Sequence, residues 1–310
     1  MADHLARRLV GVAGLAALAG LFAALASARV APTPPGPPDP RPLVVASLYP
    51  LELLAREIGG ERIATATLVP PGASPHVFEP RPADLALLAR ARGFLRVGGG
   101  LDGWTEALLG AAASVPQPFS LLPVEAADGG RHAHGEGDPH VWLDPLAVRD
   151  IHAPALASYL ARLDPAGEAY YRARLEGFVR RLSALDAELR ALLGAAPQRR
   201  YVAFHNAWRH FGRRYGLEEI GVVQESPGSE PTPRALARLV TGARRAGLAA
   251  IFVEPQLPPR SAALIAAESG ASTVTVDPVG DPSDPERNSY EGLLRFNARA
   301  FARALGGAPS

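Results

Sequence analysis

The stretch DPAGEAYYRARLEGFVRRLSALDAELRALLGA, Asp164 to Ala195, lies just past the middle of a chain of 310 residues. Within it Tyr171, Leu175, Phe178, Leu182, Leu185, Leu189 and Leu192 recur at steps of three and four, which places their side chains on one face of an α-helix. Arginine, glutamate and alanine fill the remaining faces. Asp164 reads as the N-cap, Pro165 as the first helical residue, where a missing N–H costs nothing, and Gly194 as the stop. At 1.5 Å per residue a helix of about 30 residues extends about 45 Å. One lobe of ordinary size does not need that length, so the helix is expected to run along two. A coiled-coil dimer is the other reading, and the apolar stripe is short for one.

On both sides of this helix, short β-like runs alternate with Ala/Leu/Arg-rich helical stretches, the pattern of an α/β fold with mostly parallel sheets. The strand candidates before it are 43–48, 65–69, 94–98 and 119–124; those after it are 201–204, 220–224, 250–254 and 272–276. The expected architecture is two lobes, each a four-stranded sheet flanked by helices, with lobe boundaries at 43–163 and 196–310 and the linking helix at 164–195.

The N-terminus reads differently. Arg7 and Arg8 precede the apolar run LVGVAGLAALAGLFAAL and then Ala26-Ser27-Ala28, a small-x-small cleavage pattern, so residues 1–28 are expected to be an export signal, with the periplasm as destination. An uncleaved membrane anchor is the alternative, because the run approaches the ~17 residues that can just span a bilayer. Residues 29–42 are proline-dense and read as an extended spacer.

Composition excludes several classes. The formal charge is +1, and that excess sits in residues 1–28, so the remainder is neutral and gives no argument for nucleic acid or an anionic membrane. The sequence contains no cysteine. Disulfides, thiolate metal sites and a lipid carried on an N-terminal cysteine are therefore not expected, and a metal would have to be held by His, Asp or Glu.

In open α/β sheets ligands bind beyond the carboxyl ends of the strands. Four residues stand there. His76 follows the strand candidate at 65–69, in a loop stiffened by Pro75 and Pro80; His140 lies in DPHVWLDP beyond the fourth; His205 directly follows YVAF; Asp277 directly follows STVTV. Two come from each half, which puts them at a cleft between lobes. Three imidazoles and one carboxylate complete a tetrahedral shell for a borderline divalent ion, and imidazole favours Zn²⁺ over the harder Mn²⁺. Each residue also has a plain structural reading: His140 bonded to Asp138 or Asp144, His205 capping the next helix, Asp277 in a turn before Pro278. His132 and His134, in the loop DGGRHAHGEGD, are candidates for a weak accessory contact. Glu79 and Glu254 lie close in sequence without an assigned role, and His152 and His210 read as structural.

The motifs PHVFEPRPADLALLARA, DPHVWLDP, FHNAWRHFGRRYGL and VDPVGD, in that order, resemble those of the ZnuA-like zinc/manganese substrate-binding proteins of ABC importers. The similarity covers nearly everything from Pro42 onward. It implies a monomeric, non-catalytic receptor that delivers Zn²⁺, or alternatively Mn²⁺ or iron, to a permease and its ATPase. It also implies His76, His140, His205 and Asp277 as metal ligands, with histidine rather than glutamate at 205 marking the zinc type. A zinc hydrolase is the rival from another class, and on this reading Asp277, by closing the shell, separates the two.

Overall fold

The computed structural model describes residues 39–111, 117–122, 138–224, 228, 230–258 and 260–306. The expected export signal, most of the spacer, and His132 and His134 lie outside the described residues. Among the described residues no helix is long and apolar enough to cross a membrane.

Arg41–Ser310 form one compact unit. It contains two four-stranded sheets, parallel throughout. The first is built from β1 (Leu43–Ala46), β2 (Ala64–Thr67), β3 (Gly93–Arg96) and β4 (Phe119–Ser120) in the order β2-β1-β3-β4. The second, from β5 (Arg200–His205), β6 (Glu218–Gln224), β7 (Ala250–Val253) and β8 (Ser272–Thr275), repeats that order as β6-β5-β7-β8. Each of the eight strands overlaps its sequence-based expectation. Parallel strands need crossovers, and helices supply them, covering both faces of each sheet.

Among the described residues the α-helices of seven or more residues are α1 (Tyr49–Gly59), α2 (Pro82–Leu88), α3 (Thr105–Ala111), α4 (Ala153–Leu163), α5 (Glu168–Gly194), α6 (Arg209–Tyr215), α7 (Pro233–Ala246), α8 (Arg260–Ser269) and α9 (Tyr290–Ala304). Thr232 caps α7, accepting from the Ala235 N–H at 3.2 Å. The outer face of the first sheet packs with α2 and α3 around Val45, Leu68, Leu88, Phe94 and Leu108, and that of the second with α7 and α8 around Val202, Phe204, Val223, Ile251 and Ile265. The inner faces share one core. It runs from Val44 and Leu95 through Phe178, Leu182 and Leu185 to Tyr201, Phe252 and Phe301.

The middle of that core is α5, 27 residues and hence about 40 Å long, against which α1, α4 and α9 pack. Its start and its stripe differ in detail from the sequence reading. Asp164 does not cap it. A 3₁₀ turn, Pro165–Gly167, comes first, and the Asp164 carboxylate accepts from Arg62 Nε (2.8 Å), Arg62 Nη2 (3.0 Å) and the Tyr171 hydroxyl (2.7 Å). A charge-assisted pair with a residue far away in the chain outcompetes the local cap. Leu193, four residues after Leu189, takes the fully buried place expected of Leu192, which is only partly buried along with Leu175.

Candidate metal centre

The carboxyl ends of the strands bring three histidines together. His76 sits in a 3₁₀ turn, Pro75–Val77, after the loop that follows β2. Gly72 takes φ +77° to start that loop, a value glycine adopts without steric cost. Trp104 holds the turn from the side, its indole N–H donating to the Pro75 carbonyl at 3.0 Å and its ring meeting Phe78 edge-on at 4.8 Å. His140 precedes a second 3₁₀ turn, Val141–Leu143, and His205 is the last residue of β5. One ring nitrogen from each falls within 4.8 Å of the others. The ring centroids are 5.1–5.4 Å apart.

Two carboxylates, Glu254 buried and Asp138 partly buried, set the tautomers. His140 Nδ1 lies 2.7 Å from Asp138 Oδ1, and His205 Nδ1 lies 2.8 Å from Glu254 Oε1 and 2.7 Å from Oε2. A carboxylate only accepts, so each Nδ1 carries its proton and each Nε2 is left to bind. The two Nε2 atoms face one another at 3.3 Å. Facing lone pairs repel unless a proton or a metal ion lies between them, and 3.3 Å also matches the edge of a tetrahedron whose bonds are about 2.0–2.1 Å, the length of a zinc–imidazole bond. His76 Nε2 is buried with no hydrogen-bond partner among the described residues, an arrangement that is costly until an acceptor of its lone pair arrives.

Each histidine has a tryptophan beside it, and these are all the tryptophans of the sequence. Trp104 holds the His76 turn. Trp142 packs 5.2 Å from the His140 ring and donates to the Pro278 carbonyl at 2.7 Å, while Trp208 donates to Glu254 Oε1 at 3.2 Å. The Trp142 bond joins the two halves of the fold, as do Tyr290 Oη to the Trp142 carbonyl (2.6 Å) and Arg214 to both oxygens of Asp144 (2.9 Å each).

Asp277 is placed differently. It is buried after β8 and is not in the three-atom group. Its Oδ1 accepts from Gln256 Nε2 (2.8 Å), Val279 N (2.9 Å) and Gly280 N (3.0 Å), the last two making the turn before which its sequence position already set it. Its Oδ2 accepts from Arg287 Nη1 at 2.7 Å. Of the unassigned residues, Glu254 orients His205, and His210 lies with its Nε2 2.9 Å from the Asp138 carbonyl, supporting the carboxylate that orients His140. Glu254 had a legible signal, since it directly follows β7 as His205 ends β5. His205 makes no cap bond to the turn after it.

The three rings differ in how readily they take a proton. Burial, and then any charge on His140 or His205, lowers His76 from its ordinary value to about 2. Burial lowers His140 too, although Asp138 pulls the other way. For His205 burial acts downward, but Glu254, with Asp138 and Glu219, outweighs it and the pKa is raised above the usual 6.5. An incoming ion therefore displaces a proton from His205 before any other ring. Metal affinity is expected to fall on acidification, and because the His205 pKa is raised the fall should begin at a higher pH than an ordinary histidine would give. In Glu254→Gln the largest cause of the raised pKa is gone, so the fall should begin at lower pH. Superimposable pH profiles for the two proteins would remove Glu254 from this role.

Comparisons with known proteins identify the family and the fold. Residues 44–304 match the family described as zinc-uptake complex component A, periplasmic (ZnuA). The chain is 29% identical over 273 residues to the manganese-binding lipoprotein MntA of Halalkalibacterium halodurans, covering 84% of this chain and 88% of that one. It is 25% identical over 282 residues to the high-affinity zinc uptake system protein ZnuA of Bacillus subtilis, covering 84% and 87%. A crystal structure of ZnuA superposes with a TM-score of 0.74 at 31% identity, covering 86% of this chain and all of that one.

Proposed function

The chain belongs to the ZnuA family of metal-binding receptors, which are not enzymes, and from that premise we propose that it captures Zn²⁺ between its two sheets and passes it to an ABC permease and its ATPase. The observation that carries the choice of metal is the donor set. Three imidazole nitrogens converge, while the carboxylates nearest in the fold are engaged elsewhere: Asp138 and Glu254 hold the rings, and Asp277 holds Arg287. Nitrogen donors favour zinc, whereas Mn²⁺ gains most from oxygen. We take His76, His140 and His205 as the ligands. Export to the periplasm through residues 1–28 belongs to the same proposal. Freedom from a lipid anchor rests on the cysteine-free sequence alone and finds no support in the relative named as a lipoprotein.

An open position beside three protein ligands is also what a zinc hydrolase uses. Family membership is what excludes the enzyme. The route of the ion follows from what is fastened. His140 is locked by bonds that cross between the halves, and His205 is part of a strand. The His76 turn is tied through Trp104 alone among the contacts described above, with Val77 at its tip 57% exposed. Entry and release are by displacement of this turn, with little rotation of the two halves about α5.

Calorimetric titration of metal-free protein with Zn²⁺ and with Mn²⁺ tests the reading. One ion per chain and tighter zinc binding are expected. Tighter manganese binding would make this a manganese receptor, the reading favoured by MntA, and binding of neither metal would end the proposal.

A further inference from the structure

The two sheets share one strand order and therefore one kind of place where that order reverses, between β1 and β3 in the first and between β5 and β7 in the second. Such a reversal opens a crevice beyond the strand ends, where ligands bind in open α/β sheets. In the second sheet the crevice holds His205, the last residue of β5, with Glu254, which follows β7. In the first it is filled by the chain itself. The buried Asp102 carboxylate accepts from the Ser47 hydroxyl (2.7 Å), just after β1, and from the N–H groups of Val97 (2.7 Å) and Gly98 (3.0 Å), just after β3.

Hydrogen bonds to an ionised carboxylate are strong, and these three fix a loop. Gly98, Gly99 and Gly100 run through φ +78°, +56° and +79°, a path glycine follows without steric cost, and they turn the chain so that Asp102 reaches the strand end it has just left. Two residues further on, Trp104 leaves this loop and donates to the Pro75 carbonyl at 3.0 Å, beside His76. Ser47 serves the root of the His76 segment, its carbonyl accepting from the Val69 N–H at 3.1 Å where the chain departs from β2. Asp102 itself is not part of the cavity lining, so whatever it does for the ion passes through the loop. We propose that Asp102 is a positioning residue for metal binding: it sets where Trp104 stands, and through the Trp104 bond it sets where the His76 ring meets the ion. This rests on the reading of the three histidines as a metal site.

The test is a double-mutant cycle of Asp102→Asn and Trp104→Phe, with the Zn²⁺ dissociation constant and the rate of zinc loss to a chelator measured at one pH in all four proteins. Asparagine keeps the shape of the side chain but accepts at only one of the two positions, and phenylalanine keeps an aromatic ring against Phe78 without the N–H. Each single change is expected to weaken zinc binding by about tenfold, the lower end of what losing an orienting partner costs, with one ion still bound per chain. The two effects should not add: in the W104F background D102N is expected to cost less than about threefold, because the residue it acts through is already gone. Emission gives a second readout. The contribution of Trp104, taken as the difference between each protein and its W104F counterpart, should move to longer wavelength in metal-free D102N as the indole loses its bond to Pro75. Should D102N not fold, Ser47→Ala, which removes one donor and leaves the carboxylate with two, is expected to show a smaller loss of the same kind that W104F again abolishes. A lowered thermal midpoint with unchanged zinc affinity in D102N, or losses that multiply to about a hundredfold in the double variant, would overturn the proposal. A parent protein that binds no zinc would instead overturn the receptor reading, and that is seen in the first titration of the cycle.

Discussion

Replacing His140 by alanine is expected to weaken zinc binding by about a hundredfold or more. Partners that merely orient a ligand are worth ~10–100-fold in affinity, and His140 is one of only three nitrogens in the cluster, so its loss should equal or exceed the top of that range. The fold should survive the change. Asp138 Oδ1 accepts from the backbone N–H of residue 140 at 3.0 Å, a bond that alanine keeps, and the Asp138 carbonyl retains His210. A thermal melt near that of the parent, together with the loss of affinity, separates a missing ligand from a damaged core. Affinity equal to the parent's in a folded variant would show that the ion does not sit among these three rings.

The second large effect concerns metal choice. His205→Glu exchanges a neutral nitrogen for an anionic oxygen at the end of β5, so the three donors become two imidazoles and a carboxylate. Mn²⁺ should gain on Zn²⁺ by about tenfold or more in the ratio of dissociation constants, about 1.4 kcal/mol, even if zinc still binds more tightly in absolute terms. Glu254 adds a complication that only the structure reveals. Its side chain is wholly buried and faces position 205, so the variant places two carboxylates together. Without an ion one of them is expected to hold a proton, and the variant should bind both metals with a steeper dependence on pH than the parent. Measurement near pH 7.5, where the remaining histidines are neutral, isolates the donor effect. An unchanged ratio with both metals bound would place residue 205 outside the shell.

How much of this was legible beforehand depends on how local the signal was. The eight strands were legible because buried parallel strands are short apolar runs between turn signals, and the two that deviate most do so for identifiable reasons. β6 starts at Glu218, earlier than its apolar run, because an edge strand tolerates charged residues; β4 pairs only through Phe119 and Ser120. The histidines were legible from the strand-end rule. What escaped was decided by partners distant in sequence. Asp164 looked like a cap until Arg62 claimed it, and nothing within a turn of Asp164 announces that pairing. The pairing of Asp277 was hidden in the same way, since Arg287, which donates to it, stands ten positions on, in a loop whose course depends on Gly280. The orienting carboxylates divide in the same way: Asp138 was a neighbour close enough to name, whereas the contact of Glu254 with His205 needed β5 and β7 to lie side by side.

The distribution of tryptophan has a practical result. Since the sequence has only Trp104, Trp142 and Trp208, and each is bonded to or packed on the support of a different histidine, the intrinsic indole fluorescence of the protein originates entirely at the metal centre. An ion that pulls the His76 turn inward strains the Trp104 bond, and one that polarises His140 and His205 alters the surroundings of Trp142 and Trp208. Capture and release can thus be followed by unlabelled emission in real time, with a paramagnetic ion such as Mn²⁺ distinguished from Zn²⁺ by the quenching it adds.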